Sequence, residues 1–132
     1  MAHRGVVTSR GPQPTGSYPH AHIQGDMVWV TAQAGRDPRN GELVPGGMEG
    51  QLNQAIDNLA SILDECGSSL DHVVKTQIMY TDPADEDVMD AVYARRFAAA
   101  PSIVTAWGVR FLAAEPGTEL VRVQIDCLAG IP

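Results

Sequence analysis

Polar side chains alternate with apolar ones along two strand-like segments of the sequence, and they are the first candidates for chemistry. Thr31 lies in one segment, and Arg122, Gln124 and Asp126 lie in the other. Because successive side chains of a strand point to opposite faces, each set lies on the polar face of a strand whose other face is apolar. Such a face lines a pocket or is buried between subunits. Tyr18 precedes the first strand. Tyr18 and Gln124 are expected to act through hydrogen bonds, because neither supplies a fixed charge at neutral pH.

Two imidazoles lie close to Tyr18 in the sequence. His20 and His22 are separated by one residue, so both could share one face of a strand. His20 is a candidate for acid–base chemistry or for hydrogen bonding to a substrate, because imidazole titrates near neutral pH. Two ligands do not make a zinc site without a third, and no Cys or Glu cluster lies nearby. No metal is therefore predicted.

Three further side chains are candidates for substrate binding. Ile103 and Trp107 lie in a β-rich segment, where the indole either walls a hydrophobic pocket or packs in the core. Arg122 shares the polar face of its strand with Gln124. It either supplies positive charge to a cleft or is an ordinary exposed arginine.

Length and charge exclude several classes of protein. The chain has 132 residues, of which 44% are hydrophobic and 19% charged, which predicts one domain with a buried core. The formal net charge is −7, and the nine Lys and Arg residues are scattered. Phosphate backbones and anionic lipids bind clustered cations, so neither nucleic acid nor membrane is expected as a partner. The glycine-rich nucleotide motifs are missing from the sequence, and no cofactor is expected.

The cysteines and the acidic residues favour ordinary structural roles. Cys66 and Cys127 form no C-x-x-C pair, so two small buried thiols in a reducing compartment are expected. The sequence shows no basic-then-apolar leader and no long apolar run, which predicts a cytoplasmic protein. Acidic residues between positions 82 and 90 are expected at a helix N-terminus, where negative charge is favourable, rather than in a calcium loop.

Hydrophobic periodicity predicts the elements that position these candidates. Residues 1–15 are expected to form an N-terminal arm with one short strand at Val6–Thr8, and residues 16–132 a single domain. A helix is expected from Met48 until Gly67 stops it, and a second helix, opened by Asp82-Pro83 and ended by Pro101, should bury Val88, Met89, Val92, Tyr93 and Phe97. The predicted strands of the domain are Ala21–Gln24, Met27–Gln33, Val73–Tyr80, Ile103–Phe111 and Leu120–Leu128.

Two amphipathic helices and a mixed sheet predict an α+β domain with both helices on one face of the sheet. The other face would then stay uncovered. Thr31 and Gln124 are polar but uncharged side chains that could project from this face. Because such a face must be solvated or buried between subunits, we expect an oligomer with its sites at subunit boundaries.

Several segments, taken in order, resemble the RidA/YjgF family. They are G-S-Y-P-H-A at 16–21, V-W-V-T-A-Q-A-G at 28–35, D-P-R-N-G-E-L at 37–43, Q-L-N-Q-A-I-D-N-L-A-S-I-L at 51–63, G-S-S-L-D at 67–71 and V-V-K-T at 73–76. The resemblance spans about Gly16 to Ala129. It implies a chorismate-mutase-like α+β fold and a homotrimer with three clefts between subunits.

The resemblance also implies an activity. Enzymes of this family hydrolyse reactive enamines and imines to ketoacid and ammonia, and they need no cofactor. An Arg after a Pro-Ala dipeptide grips the substrate carboxylate bidentately. A Glu on the last strand handles water, while a Tyr and a Ser line the cleft. Positioning and electrostatics carry the rate.

Residue by residue, the match with the family is partial. Tyr18 matches the family Tyr, and Thr31 falls at the Ser, but the Arg position falls on Ile103 and the Glu position on Gln124. An apolar Ile103 cannot hold a carboxylate, so a larger, less acidic or uncharged substrate is expected. The resemblance thus implies a RidA-like imine or enamine hydrolase of altered specificity. Its catalytic residues would be Tyr18, Thr31 and Gln124, with His20, Ile103, Trp107 and Arg122 binding substrate.

Two alternatives to this function remain open. The first is a non-catalytic trimer that binds or senses a small molecule, with the cleft kept and the chemistry lost. The second is a different reaction in a specialised biosynthetic pathway. There Tyr18, His20 and Gln124 would serve as hydrogen-bonding groups.

Overall fold

The computed structural model describes residues 3–112 and 120–132. The loop expected over residues 113–118 lies outside these ranges. Six strands and two helices make up the described fold, which confirms the α+β class. In chain order they are β1 (His3–Val6), β2 (Ala21–Gln24), β3 (Met27–Gln33), α1 (Gly47–Glu65), β4 (Val73–Tyr80), α2 (Glu86–Arg96), β5 (Ile103–Gly108) and β6 (Val123–Gly130).

The strands form one mixed sheet in the order β1-β2-β3-β6-β4-β5. All neighbours are antiparallel except β4 and β5, which are parallel because α2 connects them as a crossover. The register between β3 and β6 shifts between Val30 and Gln33, so one short stretch of β3 bulges out of the ladder. This bulge lies beside the candidate site described below.

Helix α1 contributes one apolar stripe to the core. Leu52, Ala55, Ile56, Leu59, Ile62 and Leu63 are all fully buried. The helix packs against β3 and β6, as its three- and four-residue spacing predicts. Gly67, in the left-handed conformation (φ 81°), ends the helix, and the Ser68 N–H donates to the Leu63 carbonyl at 2.8 Å. In the described ranges, no helix is long and apolar enough to cross a bilayer.

Helix α2 lies on the same face of the sheet as α1. Asp82 caps the 3₁₀ turn Pro83–Asp85 that leads into it, accepting the Ala84 N–H at 2.9 Å. The Tyr93 hydroxyl hydrogen-bonds the hydroxyl of buried Thr76 on β4 at 2.9 Å. The prediction that both helices lie on one face of the sheet is therefore confirmed.

The expectation that Val88 is buried on α2 is wrong, since 40% of this residue is exposed. The buried stripe of the helix is centred on Met89 and Val92, which are each 2% exposed. Val88 lies at the margin of this stripe. A helix of eleven residues presents only a narrow stripe to its neighbours.

The opposite face of the sheet carries mixed side chains and is not covered by any part of the chain that the structure describes. Trp29 on β3 and Leu128 on β6 are cross-strand partners on this face, and Trp29 is 45% exposed. Lys75 and Gln77 on β4 continue it toward β5. A homotrimer that covers this face stays a prediction.

Both cysteines are buried and free, and the ionisation of Cys127 affects the stability of the fold at high pH. Burial is the largest cause that raises the pKa of the Cys127 thiol to about 12, with Asp126 and Cys66 adding to it. In the folded protein the Cys127 thiol therefore keeps its proton near pH 9, where the same thiol ionises in the unfolded chain. This contribution to stability is complete below pH 9 and is lost as the pH rises toward 12.

We expect the unfolding free energy to fall by about 1 kcal/mol more in the wild type than in a Cys127→Ala variant between pH 8 and pH 10. Urea unfolding at the two pH values measures this difference. The comparison between variants cancels the titration of other groups. Parallel losses in both proteins would contradict the prediction.

Candidate active site

An open cleft of about 560 Å³ lies where the N-terminal segment crosses the bulge of β3 and the start of β6. It brings together four of the side chains that the sequence nominated, although they are far apart in the chain. These are Tyr18, His20, Thr31 and Gln124. Polar groups from three separate segments therefore converge on one concave surface, which is typical of a small-molecule site.

Tyr18 presents its phenol to the cleft. The residue is 44% exposed, and its hydroxyl lies 3.1 Å from the Thr15 hydroxyl. Its ring lies against Gly16, where a Cβ would come within 2.6 Å of a ring carbon. Gly16 thus permits the tight turn that brings the ring over the cleft, and the phenol keeps hydrogen-bonding capacity for a ligand.

His20 has a different position from the one expected of a ligand-binding group. It is 1% exposed, and both ring nitrogens already have partners. Nδ1 accepts the Thr8 N–H at 3.2 Å, so Nε2 must carry the proton and donate to the Pro12 carbonyl at 2.7 Å. This bond pattern fixes the neutral tautomer. It holds segment 8–12 against the sheet, which makes His20 a positioning residue for one wall of the cleft.

The β3 bulge places Thr31 in the cleft. The Thr31 N–H donates to the His20 carbonyl at 2.9 Å, and the Gln33 side chain donates to the Thr31 carbonyl at 3.3 Å. Bulges recur next to active sites because they redirect a side chain out of the ordinary alternation. Thr31 and Gln124 therefore line the same cleft, although the ladder between their strands is interrupted.

Two buried amide side chains of α1 hold the other walls. Gln51 donates to the Leu120 carbonyl and accepts the Arg122 N–H, both at 2.9 Å. Asn58 donates to the carbonyls of Ala34 and Arg36 at 3.3 and 2.9 Å. Each amide thus makes hydrogen bonds to the backbone of a segment that lines or borders the cleft. In a sheet, a neighbouring strand would make these bonds.

Gln51 and Asn58 were not nominated as site residues from the sequence, although a signal for them was present. They lie seven residues apart on α1, close to two helical turns, and therefore on the apolar stripe. A buried polar residue on such a stripe needs a hydrogen-bond partner from elsewhere in the fold.

Asn58→Ala is expected to destabilise the protein by about 1–3 kcal/mol, because it leaves two buried carbonyls without their donor. It should also weaken ligand binding, since Ala34 and Arg36 both line the cleft. Urea unfolding and ligand titration measure the two effects. Ser61→Ala at a less buried position of the same helix is the control, and an equal loss there would contradict the role of Asn58.

Three of the residues predicted from the sequence to bind substrate do not line this cleft within a single chain. Ile103 and Trp107 are 67% and 53% exposed on the edge strand β5, facing the same way as Lys75 and Met79 of β4. The alternative in which Trp107 packs in the core is therefore wrong, because no described residue covers the edge strand. Arg122 forms a 3.0 Å ion pair with Asp85.

Arg36 is a lining residue that the sequence analysis missed. It follows β3 and pairs with Leu43 across the turn at Asn40-Gly41. Its guanidinium donates to the Gly41 carbonyl at 2.8 Å. The signal was weak, because an arginine next to a turn is ordinarily a solvated surface residue. Among residues 3–112 and 120–132, no three His, Cys, Asp or Glu side chains group as a metal site.

The comparisons with known proteins agree with this architecture. A family model described as Endoribonuclease L-PSP matches residues 8–131. The chain is 32% identical to the Mus musculus protein named 2-iminobutanoate/2-iminopropanoate deaminase over 124 residues, which are 94% of this chain and 88% of that protein. The structure of RidA from an Antarctic Psychrobacter is similar at a TM-score of 0.87 and 28% identity, covering 97% of this chain and 99% of that one.

The E. coli YjgF gene product has the same fold, with a TM-score of 0.87 at 24% identity over 98% of this chain and 99% of that one. This likeness confirms the YjgF-type, chorismate-mutase-like sheet with two helices on one face. The family match covers nearly the whole chain. This chain therefore belongs to the Endoribonuclease L-PSP family, the family of the RidA and YjgF proteins.

Proposed function

We propose that this protein is a RidA-like hydrolase that converts an imine or enamine to a carbonyl compound and ammonia. The observation that carries the proposal is the convergence of Tyr18, Thr31 and Gln124 in one cleft of about 560 Å³. The name of the mouse relative points to the same class of reaction. An enamine first tautomerises to the imine, in that a proton moves from its nitrogen to the β-carbon. Water then adds to the carbon of the C=N bond, and one of its protons passes to the nitrogen. The C–N bond of the resulting carbinolamine breaks, the hydroxyl gives up its proton to form the carbonyl, and ammonia leaves.

The cleft residues would act by positioning rather than by charge. The phenol of Tyr18 and the hydroxyl of Thr31 orient the substrate, and the Gln124 amide oxygen accepts a hydrogen bond from the attacking water. Gln124 can orient this water but cannot remove its proton at neutral pH. The turnover number is therefore expected to be lower than that of a relative with a carboxylate at this position.

RNA cleavage, which the family description names, is a weaker candidate for this chain. The net charge is −7, and only nine Lys and Arg residues oppose sixteen Asp and Glu residues. A phosphate backbone would be repelled by such a surface, whereas a small molecule in a cleft depends on local charge alone.

A non-catalytic binding protein is the second candidate, and one observation favours it. The side chain that would handle water is the neutral Gln124, and the cleft of the described chain holds no carboxylate to replace it. Such a protein would bind the same small molecules without releasing ammonia from an imine. An assay for turnover separates the two functions.

A homotrimer is part of this proposal. The uncovered face of the sheet and the exposed edge strand β5 support self-association, which would bring Ile103 and Trp107 of one subunit toward a neighbouring cleft. We expect sedimentation at micromolar concentration to give about three times the 14.1 kDa of one chain. A monomer at that concentration would contradict it.

The experiment for the proposed function generates 2-aminoacrylate in situ and follows the formation of ketoacid with and without the protein. We expect acceleration over the uncatalysed reaction. We also expect a lower kcat/KM than that of a relative with Arg at the position of Ile103. Equal kcat/KM values would refute the altered specificity. No acceleration would rule out hydrolysis of this small imino acid and would favour the non-catalytic binding protein.

A further inference from the structure

We propose that protonation of His20 opens one wall of the cleft, so that the N-terminal strap of residues 8–15 acts as a pH-sensitive gate. The inference rests on the proposed function, because it describes how that same cleft is regulated. Four lining residues of the cleft belong to the strap, namely Pro12, Gln13, Pro14 and Thr15. The position of the strap therefore decides whether the cleft has a complete wall.

The imidazole of His20 joins the strap to the sheet through both ring nitrogens. Nδ1 accepts the Thr8 N–H at 3.2 Å, and Nε2 donates to the Pro12 carbonyl at 2.7 Å. The His20 backbone is itself held between two strands, because its N–H donates to the Val6 carbonyl and its carbonyl accepts the Thr31 N–H, both at 2.9 Å. The ring, which is 1% exposed, thus connects a fixed backbone to the strap.

Only the neutral imidazole fits between these two partners. A protonated imidazole carries a hydrogen on each nitrogen and accepts no hydrogen bond. Its Nδ1–H would face the Thr8 N–H, so two donors would oppose each other in a buried position. A buried charge without a compensating acceptor is costly. Protonation therefore favours a state in which the strap has left the ring and water surrounds the imidazole.

The packing around Gly11 makes the strap, rather than the ring, the part that moves. A Cβ at Gly11 would come within 3.0 Å of the Ile62 side chain on α1 and 3.1 Å of the His20 ring. The strap thus lies directly on the ring and on the helix. The ring has little room to turn away from Thr8 while the strap stays in place, so the opposed donors separate by movement of the strap.

The charged side chain of the strap is a weaker anchor than His20. Arg10 lies 2.5 Å from the Asp64 carboxylate and 3.6 Å from the Glu65 carboxylate, both at the end of α1. The side chains of Arg10 and Asp64 are 45% and 68% exposed, and exposed ion pairs contribute little to stability. Carboxylates ordinarily stay ionised at pH 5, so these pairs do not respond to mild acid.

Two other titratable side chains lie close to His20 in the chain. Tyr18 contacts the strap through the Thr15 hydroxyl at 3.1 Å, and a phenol is neutral in mild acid and at neutral pH. His22 on β2 is partly exposed, and imidazoles ordinarily titrate between neutral pH and pH 5. His22 is therefore the residue against which His20 is compared.

Hydrogen exchange of the strap amides at pH 7.5 and pH 5.0 tests the gate in the wild type. An imidazole in water gains its proton across this interval, so the open state should gain roughly 30-fold over the closed state. We expect the protection factors of the strap amides, corrected for the intrinsic exchange rate at each pH, to fall by about this factor at pH 5.0. Unchanged protection factors would overturn the proposal.

His20→Gln separates the gate from a general effect of acid. Glutamine offers one acceptor and one donor, as the neutral imidazole does, but it does not titrate. We expect its strap to be equally protected at both pH values, whereas His22→Gln should respond as the wild type does. An equal fall in His20→Gln, or no fall in His22→Gln, would overturn the proposal. If His20→Gln does not fold, the wild type and His22→Gln still decide, because the proposal requires the fall in both.

Turnover connects the gate to the proposed function. The kcat/KM for 2-aminoacrylate generated in situ is measured at both pH values, and the ratio of wild type to His20→Gln cancels the pH dependence of the reagent. We expect this ratio to be lower at pH 5.0, by up to roughly 30-fold, because the open wall weakens substrate binding. An equal ratio at both pH values would overturn the gate. If the wild type hydrolyses no imine, the proposed function fails, and hydrogen exchange alone decides whether the strap opens.

Discussion

Gln124→Glu is expected to raise the kcat for imine hydrolysis by roughly 10- to 100-fold, because it adds a general base to the cleft. The Gln124 amide can only orient the attacking water, whereas a carboxylate can also take its proton. No described acidic side chain lines the cleft, so the new carboxylate would have no like-charged neighbour there. A substrate that carries a carboxylate would be repelled, and for such a substrate we expect KM to rise as well.

Steady-state kinetics on an imine generated in situ separates these two effects. Gln77→Glu is the matched control, because Gln77 lies on the same uncovered face of the sheet but outside the cleft. It adds the same charge without adding a base to the site. A kcat that does not change in Gln124→Glu, or one that rises equally in both variants, would mean that water is not activated at position 124.

Gly35→Ala is expected to destabilise the protein by about 3 kcal/mol, because α1 lies directly against the backbone at this position. A Cβ at Gly35 would lie 2.4 Å from the Gln51 Cα and 2.5 Å from the Gln51 carbonyl oxygen. The helix would have to move away from the sheet. Such a movement would also disturb the hydrogen bonds that Gln51 and Asn58 make to the walls of the cleft.

Urea unfolding of Gly35→Ala measures this loss, and Gly41→Ala is the control. Gly41 has φ 77° with nothing within 4 Å of an added Cβ, so alanine there costs roughly 1–2 kcal/mol of backbone strain only. The larger loss should therefore occur at Gly35, and ligand affinity should fall there alone. A Gly35→Ala protein as stable as the wild type would show that α1 can shift at little cost.

The elements with strong periodicity could be predicted closely from the sequence. The hairpin of β2 and β3 and the strand β4 have the expected bounds, and α1 begins and ends within one residue of the prediction. These segments carry either continuous β-rich runs or a long apolar stripe, and a turn residue marks their ends.

Strand ends that depend on distant partners could not be predicted. The alternating pattern at residues 120–122 predicts strand, but β6 begins at Val123, because the Gln51 side chain binds the backbone of Leu120 and Arg122. The first strand is also displaced, from the expected Val6–Thr8 to His3–Val6. The Thr8 N–H there donates to the imidazole of His20 rather than to a neighbouring strand.

The candidate site was predictable where polar side chains alternate on a strand, and not elsewhere. Thr31 and Gln124 follow that rule, and the family resemblance added Tyr18. The roles of Arg36 and Asn58 depend on contacts between a turn and a helix 22 residues apart, which no local pattern encodes. The bulge in β3 is likewise invisible to a period-two pattern, because it is the place where that period breaks.

The central claim, that Tyr18 and Gln124 form the site of imine hydrolysis, is tested most directly by one comparison of rates. Ketoacid formation from an imine generated in situ is recorded for the wild type and for a Tyr18→Phe/Gln124→Ala double variant of equal melting temperature. We expect the wild type to accelerate the reaction and the double variant to lose roughly 10- to 100-fold of that acceleration, as expected for lost hydrogen bonds to the transition state. Equal acceleration by both proteins, or none by the wild type, would contradict the claim.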